Sequence, residues 1–180
     1  MLAYAGKGNM YSELTDLNTL VCETCNSLRG SIPKTIRLNI RATPDLPLVT
    51  TDCRQMRQVI VDLVMNGVEA IGEGAPGTIS VGTGTEDAGT ELTALNVGKY
   101  VVLEVRDNGC GMNEETQRQV FDPFFTTKFT GRGLGLAAVH GFARSSGGAV
   151  FVESAPGKGT CFRVLLPAMP VEAQSAGGAC

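Results

Sequence analysis

Between Asp52 and Ile71 the sequence DCRQMRQVIVDLVMNGVEAI is apolar around most of a helical circumference, with Met56, Val59, Ile60, Leu63, Val64 and Ile71 at helical spacing. Such a helix has to be covered by other elements over most of its surface. Asp52 followed by Gln55 is a capping-box pattern that starts it, and the glycine-rich turn GEGAPG ends it. Only one narrow seam is polar: Asp62, Asn66 and Glu69 fall at i, i+4 and i+7. The seam can be the wet face that a half-buried helix needs. Its carboxylate and carboxamide oxygens can equally meet a hard cation such as Mg²⁺, which keeps waters and phosphate oxygens beside one or two protein ligands. Spacing alone leaves both readings open.

The remaining pattern supplies the cover. Leu17, Leu20, Val21 and Leu28 predict a first helix, capped by Asp16 and stopped by Pro33. TIRLNIRA alternates as a half-buried strand, and TPDLPLVT, with its prolines, reads as a loop. Thr78–Thr85 and Tyr100–Asp107 read as strands separated by a polar excursion, EDAGTELTALNVGK. A short helix is expected from about Asn113 to Val120, then an aperiodic stretch, FDPFFTTKFTGRG. A further helix over Leu134–Ser146 is closed by Gly147-Gly148, and the strands AVFVES and GTCFRVLLP follow, joined by APGKG. Strands in one sheet and helices in one layer predict an α+β, two-layer α/β sandwich with a mixed, mostly antiparallel sheet. One domain is expected over residues 12–167, with 1–11 a boundary segment and the Ala/Gly-rich 168–180 a tail or linker.

Charge and composition exclude several classes of function. Fifteen Lys+Arg against eighteen Asp+Glu give a net charge of −3, so no overall positive field draws the chain to nucleic acid or to an anionic membrane. No apolar run is long enough to cross a bilayer, and MLAYAGKGNMYSEL lacks a signal-peptide layout, so a cytoplasmic location and no direct membrane contact are expected. Six cysteines are too sparse for a disulfide scaffold and read as reduced thiols. The close pair Cys22/Cys25 is read as helix packing, because a zinc or redox role needs a second pair or a thioredoxin-like context.

Glycine is the unusual term, 23 of 180 residues against a usual ~7%. In DNGCGM the turn follows an apolar strand, which holds Asp107 at a sheet edge while Gly109 and Gly111 let the backbone approach a ligand. GRGLGL, residues 131–136, leads into a helix whose exposed N–H groups can face anionic oxygens. It is neither a Rossmann fingerprint, since no strand precedes it, nor a Walker loop, since GxxxxGK[ST] is nowhere in the chain.

Taken in order, DLVMNGVEA, DNGCGM, FDPFF, GRGLGL and GKGTCF form a constellation that resembles the ATP-binding catalytic domain of bacterial sensor histidine kinases. That domain has the Bergerat ATP-binding fold, within the wider group that includes type II topoisomerase, chaperone and mismatch-repair ATPases. The motifs look like the N box, first glycine box, F box and second glycine box, and the resemblance runs from about Asp16 to Pro167. It implies Asn66 as a Mg²⁺ ligand, with Asp62 and Glu69 beside it, and Asp107 as acceptor from the exocyclic amine of adenine. Gly109, Gly111 and Met112 would shape the adenine pocket, and Thr160 would support the base by a hydrogen bond with water. Met112 to Arg132 would be a flexible lid over the triphosphate, its hinge anchored by Phe121, Phe124 and Phe125. Lys128 and Arg132 would approach phosphates, and Gly133, Leu134, Gly135 and Leu136 would line them with backbone donors.

The implied reaction transfers the γ-phosphoryl group of ATP to a histidine on a separate dimerisation domain, which passes it to an aspartate on a receiver domain. Those two domains are the expected partners, LAYAG looks like the remnant of an upstream helical domain, and the chain itself is expected to be mainly monomeric. Two departures matter. The first N-box position, often Asn in histidine kinases, is Asp62; related ATPases carry a Glu base there, so an ATPase with Asp62 as general base is one alternative. The sole histidine, His140, lies in the third long helix and is read as packing or surface rather than as a phosphoacceptor. A docking module that senses nucleotide without catalysis is the other alternative.

Overall fold

In the computed structural model, residues 12–89, 95–125 and 134–170 are described. The long helix is α2 (Cys53–Ile71), lying between α1 (Leu17–Leu28) and α4 (Gly135–Ser145) on one face of a five-stranded sheet. The strands β2 (Ile36–Arg41), β4 (Gly77–Ala88), β5 (Gly98–Asp107), β7 (Gly159–Pro167) and β6 (Ala149–Ala155) stand side by side in that order. β2 runs parallel to β4, and every other neighbouring pair is antiparallel. The sheet is therefore mixed and mostly antiparallel, as expected. A parallel neighbour needs a long crossover, and α2 with the short strand before it supplies one between β2 and β4.

Alternation along the strands decides which side faces the helices. Val101, Leu103 and Val105 of β5 and Phe162, Val164 and Leu166 of β7 are buried in one core with Met56, Ile60, Leu63 and Val64 of α2. Leu17 and Val21 of α1 and Val139 and Phe142 of α4 complete it. The seal around α2 follows from its composition: Met56, Ile60 and Val64 have no exposed surface.

Both helix starts are capped as read. Asp16 Oδ1 accepts from the amide of Asn18 at 2.9 Å, and Asp52 Oδ1 accepts from the amides of Arg54 and Gln55 at 2.9 and 3.2 Å. The second cap is not reciprocal, because the Gln55 side chain turns back to Asp52 Oδ2 at 3.4 Å.

Two features differ from the sequence reading. TPDLPLVT is not all loop: β3 (Val49–Thr51) pairs antiparallel with β1 (Glu13–Thr15), and Val49 is also bridged to Ala168. Met169 N–H donates to Leu48 O at 2.9 Å on the same side. Strands of three residues carry too little period to be seen in the sequence. The second difference is at the excursion after β4, where the strands run further than read, to Ala88 and from Gly98. On the far face of the sheet Ala88, Tyr100, Val102 and Leu165 form a small second cluster, against which Leu95 and Phe151 pack.

Candidate functional site

β5 ends at Asp107, which is buried at 6% relative exposure. The turn that follows is fastened from several directions. Asp107 Oδ1 accepts from Gly109 N–H at 2.8 Å, and Cys110 N–H donates to Ala70 O, near the end of α2, at 2.9 Å. The amide of Thr78 at the start of β4 donates to Asn108 Oδ1 at 2.8 Å. From the β6–β7 hairpin, Gly157 N–H donates to Cys110 O at 2.7 Å, while Ser154 Oγ accepts from Met112 N–H at 2.8 Å. Gln117 adds a clamp, its Nε2 donating to Met112 O at 3.2 Å and to Ser154 O at 2.9 Å.

Such tight approach demands glycine. A Cβ on Gly109 would stand 2.5 Å from the carbonyl carbon of Ala70, and one on Gly111, at φ +68°, would stand 2.0 Å from Ala155 O.

Asp107 and Thr160 are direct cross-strand partners between β5 and β7, and Thr160 is in turn paired with Ser154 of β6. Three polar residues thus form one row at the end of the sheet. Thr160 is 4% exposed, and its Oγ1 lies 2.9 Å from Ser154 Oγ. α2 crosses above Asp107 at Gly67, where an added Cβ would come within 3.2 Å of Asp107 Cβ and of Ile79 Cδ1. The helix sits close to the sheet end because that residue has no side chain.

The polar seam of α2 divides. Glu69 is exposed, as the wet-face reading expects, whereas Asp62 and Asn66 are only half exposed. Asp62 Oδ1 accepts from Gln58 Nε2 at 2.7 Å, and its carboxylate would lie 3.6–3.8 Å from a Cβ on Gly135 at the first turn of α4. Burial pushes the Asp62 carboxyl above its ordinary range, against the opposing pull of the Gln58 hydrogen bond.

α4 begins at Gly135, with Leu134 at its N-cap position, and among the described residues no side chain is seen to cap the orphan amides of its first turn. Leu134 is 46% exposed, while Leu136 packs against the core. Lys128, Arg132 and Gly133 lie outside the described residues. Before them, α3 (Glu114–Gln119) is capped by Asn113, whose Oδ1 accepts from Thr116 N–H at 2.8 Å. Phe121 then packs on the core, edge-on to Phe162 at 6.1 Å and stacked on His140 at 5.5 Å. Of the aromatic anchors expected for the lid hinge, Phe124 is not one. It is 76% exposed at φ +66°, because the turn after α3 directs it away from the core. His140, half-buried under Phe121, is a packing residue as read.

Cys25 is wholly buried and its thiol is pushed up to about 11, chiefly by that burial, in keeping with a packing role. Cys110 is exposed. Ser154, Gly67 and Gln117 were not picked out from the sequence. A glycine inside an apolar helix is a legible sign of close approach for Gly67. Ser154 joins the site only once the register of three strands is known.

Residues 51–170 match the family described as "Histidine kinase-, DNA gyrase B-, and HSP90-like ATPase". The chain belongs to this family. Among relatives of this ATPase-family chain, sensor kinase CckA of Brucella abortus (strain 2308) is 34% identical over 171 residues, covering 93% of this chain and 18% of that protein. Sensor histidine kinase ZraS of Escherichia coli (strain K12) is 35% identical over 156 residues, covering 86% of this chain and 31% of that protein. The chain therefore spans a minor part of the length of these relatives.

Among solved structures, the catalytic domain of histidine kinase ThkA superposes with a TM-score of 0.72 at 29% identity, covering 88% of this chain and 97% of that one. Full-length ShkA in complex with AMPPNP superposes at 0.74 with 23% identity, covering 89% of this chain and 32% of that one, and shares the fold. The family member described here is accordingly a nucleotide-binding domain of the histidine-kinase catalytic type. Among its described residues, no helix is long and apolar enough to cross a membrane.

Proposed function

We propose that residues 12–167 bind ATP with Mg²⁺ at the end of the sheet beneath α2 and deliver its γ-phosphoryl group to a histidine on a separate dimerisation domain, for relay to an aspartate on a receiver domain. In this reading the segments 1–11 and 168–180 join the domain to its neighbours in a longer, cytoplasmic signalling protein. The observation that carries it is the buried Asp107–Thr160 pair, facing the glycine crossing of α2, in a chain whose ordered motifs are those of the family.

The residues fit the ligand. Asp107 and Thr160 offer oxygen acceptors to the amino edge of adenine, and the turn 109–112 is braced so that the base meets a rigid wall. The first turn of α4, with Leu134, Gly135 and Leu136, suits phosphate oxygens, and Lys128, Arg132 and Gly133, which precede it in the sequence, are the further phosphate-binding residues of this reading. Asn66 supplies a carboxamide oxygen for Mg²⁺, with Asp62 one turn before it and Glu69 at the exposed end of the seam. When bound, Mg²⁺ neutralises phosphate charge. What this chain contributes is position and dipoles: it orients the nucleotide and leaves the nucleophile to its partner.

Calorimetric titration with a non-hydrolysable ATP analogue, with and without Mg²⁺, tests the reading. Saturable binding that strengthens with Mg²⁺ and is lost in Asp107→Asn is the expected result. Folded protein that binds no nucleotide would leave the docking-module reading in its place. Adding a histidine-bearing dimerisation domain then tests the transfer through an acid-labile phosphoryl label on that domain.

A further inference from the structure

Ser154 Oγ meets three polar atoms at once: Met112 N at 2.8 Å, Gly159 O at 2.9 Å and Thr160 Oγ1 at 2.9 Å. A serine hydroxyl has one proton to give and two lone pairs. The Met112 amide can only donate and the Gly159 carbonyl can only accept. Ser154 therefore receives the first proton and gives its own to Gly159. Its remaining lone pair faces Thr160, so the Thr160 hydroxyl supplies the proton of that third contact. The reverse assignment would leave two oxygens, Ser154 Oγ and Gly159 O, 2.9 Å apart with no proton between them.

Thr160 spends its only donor in this way and presents lone pairs elsewhere. Its cross-strand partner in the register is Asp107, whose carboxylate is an acceptor group. Nearby backbone donors are committed as well, Gly109 N–H to Asp107, Cys110 N–H to Ala70 and Met112 N–H to Ser154.

We infer that Ser154 is a positioning residue for base selectivity: by holding Thr160 as an acceptor it makes the wall around Asp107 favour a purine with an amino group at C6 over one with a carbonyl there. The inference rests on the nucleotide reading above. At position 6 a 6-oxo purine meets the lone pairs of Asp107 and Thr160 with lone pairs of its own, its one proton on that edge lying at N1, whereas a 6-amino purine brings two N–H groups to position 6. Without Ser154, the Thr160 hydroxyl is free to rotate and donate toward a 6-oxygen.

The experiment compares dissociation constants of ADP and inosine diphosphate, both with Mg²⁺, by calorimetry on the full chain and on Ser154→Ala, Ser154→Thr and Thr160→Val. The wild type is expected to prefer ADP. Ser154→Ala is expected to weaken ADP more than inosine diphosphate, contracting the preference by about fivefold to tenfold, the scale of one hydrogen bond. Ser154→Thr, which keeps the hydroxyl, restores it. Equal weakening of both ligands in Ser154→Ala, or no preference in the wild type, overturns the inference. Should Ser154→Ala not fold, Thr160→Val decides: loss confined to ADP supports the assignment, and equal loss of both ligands overturns it. A wild type that binds neither nucleotide refutes the nucleotide reading itself, and the inference falls with it.

Discussion

The amide of Cys110 donates to the carbonyl of Ala70 at 2.9 Å, joining the turn after β5 to the last turn of α2. The contact closes only because Gly109, the residue before, brings no side chain between the two backbones. In Gly109→Ala the new Cβ would meet the backbone of Ala70, so a loss of about 2–3 kcal/mol is expected, together with nucleotide binding. Gly84→Ala is the control, since nothing lies within 4 Å of a Cβ there; it is expected to be neutral or to stabilise by about 0.5–1 kcal/mol. Chemical denaturation of both variants checks the contrast.

Asp62 offers a test in which the sign can be worked out. Burial raises its carboxyl above the ordinary 3.8, so folding favours the protonated form. Its contribution is fully present below pH 3.8 and is lost as pH rises through the higher folded value. Asp62→Asn in nucleotide-free protein is therefore expected to melt higher than wild type at pH 7, with the difference closing in acid. The same variant is expected to release ADP no differently from wild type, since this side chain is proposed to stand one turn before the Mg²⁺ ligand Asn66 and not to act as a general base. A large drop in ADP release would instead make Asp62 the general base of an ATPase.

Asp52 behaves oppositely. The amide of Gln55, then that of Arg54, donates to its carboxylate and holds it below the ordinary 3.8. Its stabilising contribution is present above pH 3.8 and is lost as pH falls through the lower folded value. Asp52→Asn keeps a capping oxygen but cannot titrate there. The expected outcome is a melting temperature close to wild type at pH 7 and a flatter decline in acid, read from thermal unfolding across pH.

Phe121 and Phe124 separate an anchor from a bystander. Phe121 packs on Phe162 and His140, so Phe121→Ala is expected to destabilise by about 2–3 kcal/mol, somewhat under the cost for a fully buried phenylalanine. Phe124→Ala is expected to change stability by no more than about 0.5 kcal/mol, because the ring is exposed. His140→Ala is expected to leave any acid-labile phosphoryl label on a supplied dimerisation domain unchanged. Denaturant midpoints and a label-transfer assay check these statements.

The long helix was legible because its period runs unbroken for five turns around a core that needs it, and the caps at Asp16 and Asp52 announced where helices start. The glycine turns were legible because backbone approach at Gly109 and Gly111 leaves no alternative residue. The aperiodic stretch holding Phe121 and Phe124 was not, since one turn of chain decides which ring reaches the core. Ser154 was hidden for another reason. Its place beside Thr160 and Asp107 depends on three strands being in register, a property set by pairing over the whole sheet.

Val49 lies between Thr15 on one side and Ala168 on the other, each running antiparallel to it. The segments through which the chain enters and leaves this fold therefore run parallel to one another, with β3 between them. Tension drawn between the two ends acts along these strands, so the ladder resists in shear, its hydrogen bonds loaded together rather than peeled one by one. The row of Asp107, Thr160 and Ser154 belongs to a different sheet. A tug on the first flank is thus borne first by β1 and β3, whereas one on the other reaches β7 directly through Ala168, whose N–H donates to Lys99 O at 3.0 Å.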